Sequence, residues 1–480
     1  MYKFSENDRK SEAWKALVDM DGAGIRYCLW KSVSRFSEGV RGETDFDLLV
    51  KQEDFNRCVE FLEKSGWIKV KAECWRSFPG VYDFLRYCDG SGCFLHFHVH
   101  TALVMGEARI KSLKLPLEQL YFDTCVYADR VPAVRPALDL IVFLIRMAVK
   151  LRSRDFFCQK IGVANKLLIR NFGDEFKEIR KNVSEESLLE VLARPEFDFI
   201  SSTIITDAYA DLNNFGYAER QEVREALTSY YRVDNIERIL LWLRRLIERR
   251  VVGTGKTLDK RGIKVAICGP DGSGKSTLCQ ALKTALGGHF KVRKFYMGGS
   301  NHSRGFVRFL YRLVVFPLFI LIRRSLERRH FSAAQRLKNV FYGIEECLIA
   351  REKYLRFKQA EKLAQLGAIS IFERFPLFDG FGDGSPENCP KPFRSICSRY
   401  YDAIDRPDLI IGLKVPAEEA ILRKVNHNSE IIIRKVEQFN EFYEKNSATS
   451  NFVCFDGTES PEKLLYRALN HIWIRLVHDN

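Results

Sequence analysis

The stretch Ile263–Ala285, IKVAICGPDGSGKSTLCQALKTA, decides how this 480-residue chain is read. Its apolar run Val265–Cys268 predicts a buried strand, and the turn that follows leads into an amphipathic helix. Between them Gly269, Gly274, Lys275 and Ser276 satisfy the spacing G-x-x-x-x-G-K-[ST]. Gly272 and Gly274 carry no Cβ, so successive backbone N–H groups can turn toward one polyphosphate, whose charge also meets the positive end of the helix. The expected binding run is therefore continuous: Gly269, Pro270, Asp271, Gly272, Ser273, Gly274, Lys275, Ser276 and Thr277. Lys275 is set to reach the β- and γ-phosphates and the Ser276 hydroxyl to ligate a metal, so ATP and Mg²⁺ are the expected cofactors.

Working outward, the length predicts several domains, and 46% hydrophobic with 29% charged residues is globular composition. The formal charge of +14 favours polyanionic partners. Nucleotide phosphates, nucleic acid and anionic lipid all satisfy that condition, with nucleic acid the less favoured partner. The thirteen cysteines contain no C-x-x-C pair and read as reduced core filler in a cytoplasmic protein. The opening MYKFSENDRKSEAWK is polar where a secretory signal needs an apolar run. The most apolar window, Phe306–Ile322, is broken by Arg308, Arg312 and Pro317, too short for a spanning helix and read as a buried one. Its basic flank, Arg323, Arg324, Arg328 and Arg329, keeps peripheral contact with anionic lipid open.

Near the start, Ile25–Trp30 predicts one strand and Glu43–Val50 (ETDFDLLV) another. Asp45 and Asp47, two apart, share a strand face, a geometry suited to a divalent metal. Further on, LHFHVH puts His96, His98 and His100 on one face, where imidazole can join them as a metal ligand. With the turn Lys31-Ser32 before it, this pattern resembles the minimal nucleotidyltransferase superfamily, in which a polar turn after a strand precedes Asp-h-Asp on the next. Lys31 and Ser32 stand where that superfamily has Gly-Gly or Gly-Ser, and its third carboxylate has no clean counterpart. The resemblance implies a metal site on Asp45 and Asp47, and the histidine face offers His98 to complete it. From Pro136 onward the apolar spacing is helical; Arg146, Arg152, Arg154 and Asp155 there read as solvated helix charges.

Beyond the phosphate-loop pattern, Lys291–Met297, Ala368–Phe372 and Asp408–Val415 predict further strands, and Ala333–Leu366 a long helix. This alternation predicts a parallel sheet with helices on both faces, its functional residues at the strands' carboxyl ends. GPDGSGKST, Glu373-Arg374-Phe375 and RPDLIIGLKVPAEEAILRK resemble thymidylate kinase and its nucleoside monophosphate kinase relatives. The resemblance implies that Asp271 faces the acceptor, Glu373 supports Mg²⁺ and Arg374 holds the acceptor phosphate. Lys275, Asp271, Glu373 and Arg374 are the expected catalytic set, and Arg423 and Arg434, with Lys424 and Lys435, the charges of a closing lid. The expected fold is multidomain α/β. A nucleotidyltransferase-like α+β domain takes 1–132, a helical region 133–250, a linker 251–261 and a kinase-like parallel-sheet domain 262–480. The leading expectation is ATP- and Mg²⁺-dependent phosphoryl transfer to a nucleoside monophosphate or another phosphorylated small molecule. Nucleotidyl transfer by the first domain to a sugar or lipid-linked acceptor, and an ATP-gated switch that binds nucleic acid, are the alternatives.

Overall fold

The computed structural model describes residues 2, 4–31, 33–107, 110–150, 166–230, 235–252, 255–298, 305–327, 331–376, 389–424 and 428–479. The chain forms two compact units, Met1–Thr254 and Gly255–Asn480. In the first, the strands are β1 (Tyr27–Lys31), β2 (Phe46–Val50), β3 (Ile68–Lys71), β4 (Val81–Cys88), β5 (Cys93–His100), a hairpin β6 (Leu103–Glu107) and β7 (Ile110–Leu115), β8 (Val126–Ala128) and β9 (Val131–Ala133). They form a mixed sheet in the order β3-β4-β5-β2-β1-β9-β8, with β6 and β7 paired separately. At its centre β2 runs antiparallel to β1 and parallel to β5, which sets Asp47 opposite His98. The helix Pro136–Val149 is apolar on nearly every side and lies in the same core as the sheet, joined by helices as far as Leu227. The stretch expected as a linker continues the helix Asn235–Val252 and then enters the short strand β10 (Thr257–Leu258), whose Leu258 N–H donates to Gly367.

Buried in that core is Asp139, which accepts a 2.7 Å hydrogen bond from the Tyr2 hydroxyl. Burial pushes its carboxyl up to about 7, against the pull of Tyr2 and Arg146. A carboxyl raised above its unfolded value stabilises the fold in acid, and this contribution disappears as pH rises from about 4 through about 7. Above that range the first unit is expected to be weaker by on the order of 4 kcal/mol than at pH 4 on this account alone. Chemical unfolding at pH 5 and pH 8.5 checks it: Asp139→Asn should flatten the slope, and an unchanged slope removes Asp139 as its source.

The second unit is built on a parallel sheet: β11 (Lys264–Cys268), β12 (Val292–Tyr296), β13 (Ile369–Glu373), β14 (Leu409–Lys414) and β15 (Phe452–Asp456), in the order β12-β13-β11-β14-β15. Every neighbouring pair is parallel. β11 and β13 are buried along their whole length, which is why they read as mainly apolar runs rather than alternating ones. The window Phe306–Ile322, expected as a buried helix, forms the helix Phe306–Glu327 but is exposed over much of its surface. It packs against the helix Phe331–Gln365, stacking Phe319 on Phe341, and among the described residues that helix covers one side of it.

Candidate functional site

In the second unit the loop after β11 reaches the sheet's carboxyl edge and turns into the helix Lys275–Gly287. Two glycines permit the turn. Gly269 has φ +148°, and a Cβ there would lie 2.6 Å from the Leu413 carbonyl oxygen; at Gly272, φ +88°, it would lie 2.8 Å from that of Ala420. Gly274 caps the helix without a side-chain bond, and Gly274–Thr277 line a cavity of about 360 Å³. Its walls also carry the acids Asp271 and Glu459 and the cations Arg374, Arg423 and Lys424. The Ser273 hydroxyl, at the same cavity, is buried with no hydrogen-bond partner.

Charge in this cradle is unevenly balanced. Asp271 accepts from Arg374 and Lys435, each at 2.8 Å, with the Lys275 Nζ 3.9 Å away. Burial alone would raise its carboxyl, but Lys435, Arg374 and Lys275 bring it down to about 2. Lys275 is 7% exposed and donates to the Pro270 carbonyl at 2.5 Å. Burial lowers it to about 8, opposed by Asp271 and assisted by Arg374. One carboxylate thus faces three cations, a surplus suited to a polyphosphate.

β13 ends at Glu373, which pairs in register with Ile267 and with Tyr296. The Ser276 hydroxyl donates to one of its carboxylate oxygens and Lys294 to the other at 3.1 Å. Burial works to raise this carboxyl, and those two bonds outweigh it, leaving it below its ordinary value. A serine and a carboxylate oxygen one hydrogen bond apart form an all-oxygen pair, which fits a hard cation such as Mg²⁺. The next residue, Arg374, leaves the sheet with φ +61°, left-handed backbone that a non-glycine residue adopts at a cost.

Of the expected lid charges, Arg423 donates to the carbonyls of Gly272 at 3.3 Å and Gly457 at 2.9 Å. Arg434 is exposed on the helix Ser429–Asn446 and does not line the cavity. One residue is about 100° of helix rotation, and it is Lys435 that turns to the loop. Sequence reasoning missed Lys294: its role needs β12 set beside β13, which no local spacing reveals.

In the first unit, Asp47 is buried, 2.8 Å from the Lys31 Nζ, with His98 Nδ1 and His100 Nε2 each at 3.2 Å. Asp45 instead meets His96 Nδ1 at 2.5 Å, and the far ring nitrogen of His96 lies 2.6 Å from Asp83. The ligand atoms of Asp47, His98 and His100 lie within 4.8 Å of one another; in that group His100 stands where Asp45 was expected. Asp45 precedes the strand, is half exposed, and is engaged by His96. Burial lowers both imidazoles, His100 to about 3, so they are neutral and ligand-competent. Nitrogen donors suit a transition metal better than Mg²⁺, and Lys31 already supplies Asp47 with a cation. Asp83, on β4 opposite His98, is a third carboxylate that the sequence did not single out. Ser32, Arg152, Arg154 and Asp155 lie outside the described residues; Arg146 pairs with Glu175 at 3.4 Å. Among the described cysteines all twelve are free, with Cys389 and Cys397 in an apolar core cluster.

A parallel sheet with a phosphate loop at the carboxyl end of its central strand makes the second unit a P-loop α/β fold. No family model matches the chain. It is similar to the uncharacterized ATP-binding protein YghR of Escherichia coli K12, with 27% identity over 181 residues, 34% of this chain and 69% of that protein. The same values hold for YghR of E. coli O6:H1. Among solved structures it is similar to deoxyadenosine kinase from M. mycoides, with TM-score 0.28 and 17% identity in the form with dCMP and dCDP, over 44% of this chain and 98% of that one. The form with dATP gives TM-score 0.27 and 16% identity over the same shares.

Proposed function

We propose that the unit Gly255–Asn480 transfers the terminal phosphoryl group of ATP to a nucleoside monophosphate. One observation carries the proposal: Lys275, the Ser276–Glu373 pair and Arg374 converge at the phosphate loop, with the charge surplus on the side of the cations. The acceptor phosphate oxygen forms the new bond to the γ-phosphorus as the bond to the β,γ-bridging oxygen breaks, and ADP departs with that electron pair. Such a reaction asks the protein for position and charge compensation more than for covalent chemistry. The loop amides and Lys275 hold the triphosphate tail. Ser276 and Glu373 would hold Mg²⁺, which when bound neutralises charge on the phosphate oxygens. Arg374 holds the acceptor phosphate, exchanging its bond with Asp271 for one with the ligand, and Arg423 lies over Gly272 where charge migrates.

The test is purified chain with ATP, Mg²⁺ and a panel of nucleoside monophosphates, with diphosphates read by mass spectrometry. ATP binding without any diphosphate rejects the acceptor class; no ATP binding rejects the whole reading. Arg374→Ala is expected to raise the acceptor KM about 10- to 100-fold, the range of a lost hydrogen bond to a charged group, with little change in ATP affinity. An unchanged KM takes Arg374 out of acceptor binding.

A second reading concerns the first unit. Asp45, Asp47 and Asp83 cluster about the histidine face of β5, which favours nucleotide handling with a divalent ion there. Mn²⁺- or Zn²⁺-dependent nucleotidyl transfer that survives Lys275→Ala and fails in Asp47→Asn would support it; metal-independent behaviour would reject it.

A further inference from the structure

The helix Phe306–Glu327 leaves an apolar face uncovered. Phe306, Phe309, Leu313, Val314, Leu321 and Ile322 all point to solvent, Leu313 at 59% and Leu321 at 65% exposure. The first two of the helix's four arginines turn the other way: Arg308 lies 3.6 Å from Glu352 and Arg312 donates to Glu345 at 2.6 Å, both on the helix Phe331–Gln365. Charge is thus drawn inward and the outward face is left apolar. Its border is basic. Arg324 and Arg336 are exposed and Arg323 and Lys338 partly so, while the sequence from 306 to 340 holds a single acid, Glu327.

We infer that this face docks on an anionic lipid surface, with the helix lying in the plane of the interface. The chemistry matches: aromatic and aliphatic side chains enter the boundary between headgroups and acyl chains, while a basic rim meets lipid phosphates. No described helix is long and apolar enough to cross a membrane. A second copy of the chain would set the same basic rim against itself, a like-charge cost that an anionic surface avoids. The docked helix begins beside the phosphate-loop sheet. The Gly305 N–H donates to Glu352 at 2.8 Å, and Arg356, one turn along, donates at 2.7 Å to the carbonyl of Tyr296, the last residue of β12.

The experiment is flotation of the full chain with phosphatidylcholine vesicles with and without about 30% phosphatidylglycerol, at low and high salt. Binding is expected only to the anionic vesicles, falling as salt rises. The double variant Leu313→Glu with Leu321→Glu changes only exposed positions, so its ATP binding should stay normal while vesicle binding falls at least about tenfold. Failure of the wild-type chain to float with anionic vesicles overturns the proposal, as does equal flotation of the double variant. A wild-type dimer in sedimentation that the double variant converts to monomer, without lipid binding by either, assigns the face to self-association instead.

Discussion

Lys275→Ala is expected to lower phosphoryl transfer by about 10³-fold or more while leaving the chain folded, because the side chain supplies charge where charge develops. The fold should survive because Asp271 keeps two other partners, Arg374 and Lys435, when the lysine is gone. Lys275→Arg keeps the charge but puts a planar fork where a compact ammonium is buried, and should recover little. The residue also gives a pH signature. In the unliganded chain burial holds Lys275 at about 8, and a bound triphosphate favours its ammonium form. ATP affinity should therefore be flat below about pH 7 and weaken as pH rises past about 8, with the alanine variant showing no such bend. Single-turnover rates and calorimetric Kd values from pH 6.5 to 9.5 measure both effects. Near-normal turnover in the alanine variant would remove the phosphate loop from the reaction.

Asp47→Ala should do most harm to stability, costing the first unit about 3–5 kcal/mol, the range for breaking a buried pair by removing one partner. It strands the Lys31 ammonium, whose side chain is 15% exposed, together with the buried His100 and the half-buried His98 imidazoles. Burial opposes the Asp47 charge, but Lys31 and the histidine bonds hold its carboxyl well below the ordinary range. A depressed carboxyl contributes stability above its unfolded value near pH 4 and loses it as pH falls toward the folded value, so acid should weaken the native unit and not the variant. Urea unfolding followed by tryptophan fluorescence reads this selectively, since five of the six tryptophans, all but Trp473, belong to the first unit. Lys31→Met added to Asp47→Ala should recover a large part of the loss. If it recovers none, the ammonium is not what the carboxylate was compensating.

The phosphate loop was legible because glycine spacing, a buried apolar strand and a helical period coincide in one short stretch. The strand around Glu373 was legible for the same reason: a strand buried on both faces is a mainly apolar run. What the sequence concealed depends on neighbours distant along the chain. Lys294 meets Glu373 only because β12 lies beside β13, and Asp83 meets His96 only through the antiparallel pairing of β4 with β5. Arg434 and Lys435 are equally basic and adjacent, and only the rotation of their helix selects the second. The apolar helix was misjudged because hydropathy reports what a side chain prefers to touch, not whether the fold supplies a partner on that side.

Arg374 has one further implication. Its guanidinium serves the cradle while its backbone is held in a conformation that suits glycine. At that position thermal tolerance and the proposed acceptor-binding role pull apart: a variant library screened on heat resistance alone is expected to drift toward glycine there and away from the side chain that the proposed phosphoryl transfer requires. Engineering the second unit for robustness should leave residue 374 out of the search.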